Sequence, residues 1–175
     1  DLVDSDPTIN CRYEKLDIVD AKKYESIVKE NKVDYIVHLA AILSASGEKM
    51  PDLAYDVNVT GAQNAFMLSR EYKTQLFIPS SIAAFGGDNF QKDMTPNDTI
   101  LQPKTIYGVT KVFNELLGQY YHDKYGVDFR SIRYPGVISS AKYAFNGTTD
   151  YSTGKLCWHL IEFRNILPCS WNRRV

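Results

Sequence analysis

Short apolar runs alternate along the chain with longer segments whose apolar positions recur at helical spacing, a pattern that predicts a parallel sheet flanked by helices. Tyr13 to Leu16 is predicted as a short strand and Ala21 to Asn31 as a charged amphipathic helix. Asp34 to Leu39 (DYIVHL) is almost wholly apolar, the mark of a strand buried on both faces. A long helix is expected from about Leu53 to Tyr72, with Leu53, Val57, Ala65 and Leu68 among its apolar positions. Gln75 to Pro79 (QLFIP) reads as another buried strand. It is followed by a polar loop from Gly86 to Pro103, whose length hints at function. A second long helix is expected from about Tyr107 to Tyr125, and a last strand over Asp128 to Tyr134, broken by Pro135-Gly136. Beyond it, Phe145 to Tyr151 is a polar loop, and Leu156 to Val175 mixes Cys, Trp and Pro with only weak helical period.

Composition narrows the function classes. The 175 residues are 44% hydrophobic, enough for one sizeable core. Twenty basic against twenty-one acidic side chains give a net charge of -1, which supplies no field for nucleic acid or an anionic membrane. No apolar run reaches the roughly 20 residues that cross a bilayer, and Asp1-Leu2-Val3-Asp4 is unlike a signal peptide, so the chain reads as soluble and intracellular. Cys11, Cys157 and Cys169 are odd in number and widely spaced, without the pairing that zinc or a disulfide framework needs. They read as reduced thiols, and no metal site is expected. Sequons at Asn58, Asn97 and Asn146 are too short a signal to carry weight without secretion.

The sharpest chemical signal is Tyr107-Gly108-Val109-Thr110-Lys111, which puts a phenol and an ammonium four residues apart at the start of a helix, on one face. A phenol of pKa about 10 is a poor base at neutral pH, and a nearby ammonium favours its phenolate. Lysine can thus make tyrosine a usable acid-base catalyst. Alone, the pair would be an ordinary helix surface. Ser80-Ser81 follows the strand QLFIP, however, and lies at its carboxyl end, where open parallel sheets bind ligands. A hydroxyl there can hydrogen-bond a substrate oxygen; without the Tyr-Lys pair, Ser81 would be a turn or cap residue. His38-Leu39-Ala40-Ala41 ends the preceding strand with small residues that let a flat cofactor approach the backbone, and His38 itself reads as a core histidine. Asp17-Ile18 ends an earlier strand, where it could meet an adenine amino group or simply be a solvated turn.

Taken in order, Asp17-Ile18, HLAA at 38 to 41, NVTGAQN from Asn58, SSIAAFG from Ser80, YGVTK from Tyr107 and RYPG from Arg133 resemble the motifs of the extended short-chain dehydrogenases/reductases, the family of sugar-nucleotide epimerases and dehydratases. The resemblance covers about residues 1 to 151. It implies a Rossmann-like NAD-binding domain over that span, truncated at both ends, with 152 to 175 as a divergent segment. It implies Ser81, Tyr107 and Lys111 as catalytic residues. NAD would be held by Asp1, Asp17, Ile18, Leu39, Ala40, Ala41, Asn58, Tyr107, Lys111, Tyr134 and Val137. Within the family, Leu43 to Glu48, Ile82 to Gly86, Thr105 to Gly108 and Gly147 to Tyr151 (GTTDY) are most similar to the branch that oxidises L-threonine at C3, which adds Ser44 and Thr149 as substrate contacts beside Ser81 and Tyr107. The alternatives are a nucleotide-sugar epimerase or dehydratase using the same three residues, and an inactive remnant. No G-x-G-x-x-G stands before Asp1, so the turn that holds the pyrophosphate is missing and the chain is expected to be a fragment. By resemblance the two long helices pair into a homodimer, and the compartment is the mitochondrial matrix in a eukaryote or the cytoplasm otherwise.

Overall fold

A computed structural model describes residues 11–86, 91 and 93–137. The expected boundary at 151 and 152 lies outside them. The chain divides into two compact units, Asp1–Pro135 and Gly136–Val175, and the first holds every described helix and strand.

The first helix, α1 (Ala21–Glu30), starts where the Asp20 carboxylate accepts from the Lys23 amide at 3.1 Å, and it buries Tyr24 and Val28, one turn apart. Strand β1 (Tyr35–Val37) follows, then a short helix, α2 (Ser44–Lys49), in a stretch with no predicted element. The long helix expected from Leu53 to Tyr72 runs as α3 (Pro51–Tyr55), a π-helical turn (Asp56–Gly61) and α4 (Ala62–Tyr72). The widened turn aims Asn58 inward. Its side-chain oxygen accepts from the Ile42 amide at 2.7 Å, and its nitrogen donates to the Ile42 carbonyl at 3.0 Å and to Thr110 Oγ1 at 3.2 Å. Single π turns of this kind recur at functional sites.

Strands β2 (Gln75–Phe77) and β4 (Phe129–Arg130) complete a parallel sheet ordered β1-β2-β4, with Ile36 opposite Leu76 and Leu76 opposite Phe129. Strands β3 (Ser80–Ser81) and β5 (Arg133–Tyr134) form a second parallel pair. The predicted single strands over 75–79 and 128–134 are therefore each divided. The division falls at Pro79, which has no N–H to give, yet bonds from Leu76, Ile78 and Ser80 amides to the Asp128, Arg130 and Ile132 carbonyls (2.9–3.1 Å) carry the pairing past it. Helix α5 (Ile106–Tyr125) is capped by Thr105, whose hydroxyl accepts from the Gly108 amide at 3.1 Å, and it ends at Gly126 in the left-handed conformation, φ 69°.

Two expectations fail. Tyr13 to Leu16 is not a strand, because it is mostly exposed and no described strand pairs with it. Strand β1 is not buried on both faces: Ile36 points into the core, but Tyr35 and Val37 on the opposite face are 66% and 60% exposed. The described helices α1, α4 and α5 contribute only to the Ile36 side. There Phe66 is wholly buried, its ring 5.2 Å from those of both Tyr121 and Phe129.

Candidate functional site

The carboxyl ends of the parallel strands meet the first turns of α5. Gly108 lets them close up, since a Cβ there would lie 2.5 Å from the Ala83 carbonyl oxygen. A second element presses on the same helix end. The Glu48 carboxylate of α2 accepts from the Ile106 amide at 2.8 Å, satisfying one of the free N–H groups of the helix and placing negative charge at its positive pole.

This packing brings the three predicted side chains together. The Ser81 hydroxyl lies close enough to the Tyr107 phenol to lower its pKa, and its oxygen accepts from the Ala83 amide at 3.2 Å, opening a 3₁₀ turn over Ile82–Ala84. Lys111 is buried, with Nζ 5.3 Å from the centre of the Tyr107 ring and donating to the Pro79 carbonyl at 2.7 Å. Burial lowers the ammonium pKa to about 8, so it remains mostly charged at neutral pH. The expected depression of the phenol by Lys111 is not seen. Burial raises the Tyr107 pKa, and the opposing influence is the Ser81 hydroxyl, because the ammonium is turned toward Pro79. His38 is the core histidine expected, and burial, then the Lys111 charge, lower its pKa to about 4.

The other predicted positions are spread more widely. Leu39 is 67% exposed, Ala40 is exposed and Ala41 half-buried, forming a small-residue shelf at the end of β1. Asn58 is buried behind the shelf, its side chain committed to Ile42 and Thr110. Asp17 closes a local turn through Val19 N, 3.0 Å, and the Ile18 carbonyl accepts from Asn64 Nδ2 at 2.9 Å. Ser44 is buried at the start of α2, and Tyr134 pairs with Ser81 in the β3-β5 register. Val137 belongs to the second unit and is exposed; Asp1 and Thr149 lie outside the described residues. Sequence reasoning passed over Glu48, Glu115 and Arg133. Glu48 and Arg133 stood in the motifs that carry the resemblance without a role of their own, and Glu115 follows Lys111 by four residues on the same stripe.

The donor set fits NAD at one end. An open shelf of Leu39, Ala40 and Ala41 borders a buried ammonium with N–H groups beyond the one given to Pro79, and those groups suit ribose hydroxyls. Among the described residues no group of three or more His, Cys, Asp and Glu side chains could hold a metal ion, and no helix is long and apolar enough to cross a membrane.

Residues 2–160 match the family model of the NAD dependent epimerase/dehydratase family. An uncharacterized epimerase/dehydratase of Staphylococcus haemolyticus is 49% identical over 146 residues, which are 83% of this chain and 46% of that protein. The structure of L-threonine 3-dehydrogenase from Trypanosoma brucei is 52% identical with a TM-score of 0.79, over 83% of this chain and 46% of its own. A monomeric L-threonine 3-dehydrogenase from a metagenome, in its apo form, is 45% identical with a TM-score of 0.82, over 87% of this chain and 49% of its own. The chain spans about half the length of the relatives it matches.

Proposed function

The chain belongs to the NAD-dependent epimerase/dehydratase family, and on that premise we propose that its site oxidises the C3 hydroxyl of L-threonine to 2-amino-3-ketobutyrate. The observation that carries the chemistry is the convergence of the Ser81 hydroxyl, the Tyr107 phenol and the Lys111 ammonium at the carboxyl end of β3. The choice of substrate is supported by the likeness, at 45% and 52% identity, to proteins described as L-threonine 3-dehydrogenases.

Leu39, Ala40, Ala41, Tyr107 and Lys111 would hold NAD, which when bound supplies the acceptor for the hydride lost from C3. Tyr107, once ionised to the phenolate, takes the C3 hydroxyl proton on its oxygen. Ser81, placed beside that phenol, orients the reacting oxygen. Lys111 keeps a positive charge one helical turn behind Tyr107 and, beyond the N–H given to Pro79, has donors for the ribose hydroxyls of NAD. Asn58 acts at one remove, fixing Ile42 and Thr110 around the shelf.

The test is spectrophotometric: reduced cofactor formed with L-threonine set against activity on UDP-galactose. Turnover of the nucleotide sugar and not of threonine would move the assignment to an epimerase. Tyr107→Phe is expected to abolish turnover while NAD binding, read by calorimetry, persists; turnover retained in the variant refutes the role of Tyr107. We also propose a homodimer through α5, where Val109, Phe113, Leu116 and Tyr120 expose an apolar stripe at spacings of four, three and four. Light scattering that gives a monomer, the state named for the metagenomic relative, would reject it.

A further inference from the structure

Three consecutive residues, Pro79 to Ser81, are each tied to one stripe of α5. Ser81 meets Tyr107, the Pro79 carbonyl accepts from Lys111, and the Ser80 hydroxyl donates to Glu115 Oε1. Tyr107, Lys111 and Glu115 follow one another at intervals of four and so share one side of the helix. The proposed reaction uses the first two contacts and leaves the third unexplained. Glu115 is gripped in turn by Arg133, whose Nε and Nη2 reach its two oxygens at 2.9 and 2.7 Å, a two-pronged and therefore directional ion pair. Arg133 stands opposite Ser80 in the β3-β5 register, stacks 4.9 Å from the centre of the Phe85 ring, and donates to the Asn97 carbonyl at 3.3 Å. Glu115 and Arg133 are both largely buried.

Strand β3 has little to hold it by itself. It is two residues long, is preceded by a proline without an N–H, and runs directly into a 3₁₀ turn. Ser80 and Ser81 are adjacent in this two-residue strand, so fixing Ser80 against Glu115 also restrains the backbone that aims Ser81. We infer that Arg133 and Glu115 are a positioning pair that sets the Ser81 hydroxyl against Tyr107 by anchoring its neighbour Ser80. The inference rests on the reading of Ser81, Tyr107 and Lys111 as the reactive group.

The experiment titrates the Tyr107 phenol by NMR in the chain carrying ¹³C-labelled tyrosine, with Tyr107→Phe to assign the signal; neither NAD nor substrate is needed, so its outcome is independent of which alcohol is oxidised. Lys111, on the same helix as Tyr107, is retained in every variant, and His38, just past β1, is neutral over the titrated range. Ser81 lowers the Tyr107 pKa, so losing its alignment raises it. Direct loss of the Glu115 carboxylate works the other way, since removing a negative charge eases ionisation of the phenol. The expected result is an upward shift of the Tyr107 midpoint in Glu115→Ala and in Ser80→Ala, with no further shift when Glu115→Ala is added to Ser81→Ala. A role confined to stability would lower the melting temperature and leave the midpoint in place. A null or downward shift, or one of full size in the Ser81→Ala background, overturns the inference. Should Glu115→Ala fail to fold, Ser80→Ala decides alone, because it keeps the Glu115–Arg133 ion pair.

Discussion

Replacing Lys111 by Met tests the energetics of the site most directly. Burial holds the ammonium at a pKa of about 8, against 10.5 for a free lysine. At about 1.4 kcal/mol per pH unit, that difference means charged Lys111 costs the fold about 3 kcal/mol below pH 8. Between pH 8 and 10.5 the unfolded chain binds this proton and the folded chain does not, so stability rises with pH, by up to about 1.4 kcal/mol per unit. Above 10.5 both states are neutral and the penalty is gone. Methionine removes the charge but leaves the Pro79 carbonyl without its donor, which returns about 1–3 kcal/mol of the gain. At pH 7 the variant is therefore expected to be as stable as the parent chain or up to about 2 kcal/mol more stable. The firmer expectation concerns pH. Urea unfolding at pH 7, 8.5 and 9.5 should show the parent gaining on Lys111→Met across the series, the tyrosines that titrate higher cancelling in the difference. A difference that stays constant from pH 7 to 9.5 would show that Lys111 is not buried as charge.

His38 titrates with the same sign at lower pH: its folded pKa of about 4 lies below the free value of 6.5, so stability present above pH 6.5 is lost as pH falls toward 4, by about 3 kcal/mol in all. In His38→Leu that part of the acid loss should vanish, and acid unfolding followed by circular dichroism should move to lower pH. Gly118→Ala places a Cβ 2.0–2.5 Å from ring atoms of Phe129, so despite alanine's advantage in a helix it should destabilise by about 1–3 kcal/mol. Differential scanning calorimetry would check this, and adding Phe129→Leu should recover part of the loss.

The strand-helix alternation was legible because each apolar run, DYIVHL or QLFIP, is short and separated from the next by a segment of helical spacing. What the sequence could not display was any event depending on a partner distant in the chain. The π turn at Asp56–Gly61 is invisible in a local pattern, because Asn58 turns inward only on account of Ile42 and Thr110. DYIVHL predicts two buried faces because its composition does not say what stands across from Tyr35 and Val37. Tyr107, Lys111 and Ser81 were found together because their spacing and strand-end position repeat a chemical logic. Arg133 and Glu115, 18 residues apart, carry no such logic until β5 lies beside β3. The phenol's electrostatics were misjudged for a related reason: spacing places Lys111 behind Tyr107, but only the fold turns its ammonium toward Pro79.

The first half of α5 is polar where it is buried and apolar where it is exposed. Thr110, Lys111 and Asn114 face inward, while Val109, Phe113 and Leu116 face out. Burying such groups is unfavourable unless they are bonded, and here Thr110 is bonded to the Tyr107 carbonyl and Asn58, Lys111 to Pro79, and Asn114 Nδ2 to the Asn58 carbonyl, although Asn114 Oδ1 is buried without a partner. A helix selected only for the stability of this unit would have turned the other way, with its valine, phenylalanine and leucine inside. The inversion is explained if two demands outside the core act on the helix at once: a proton-handling site that needs charge and hydroxyls on its inner face, and a second apolar surface that takes the outer one. Either demand alone leaves half of the pattern without a cause, which is why the dimer measurement and the Tyr107 titration bear on each other.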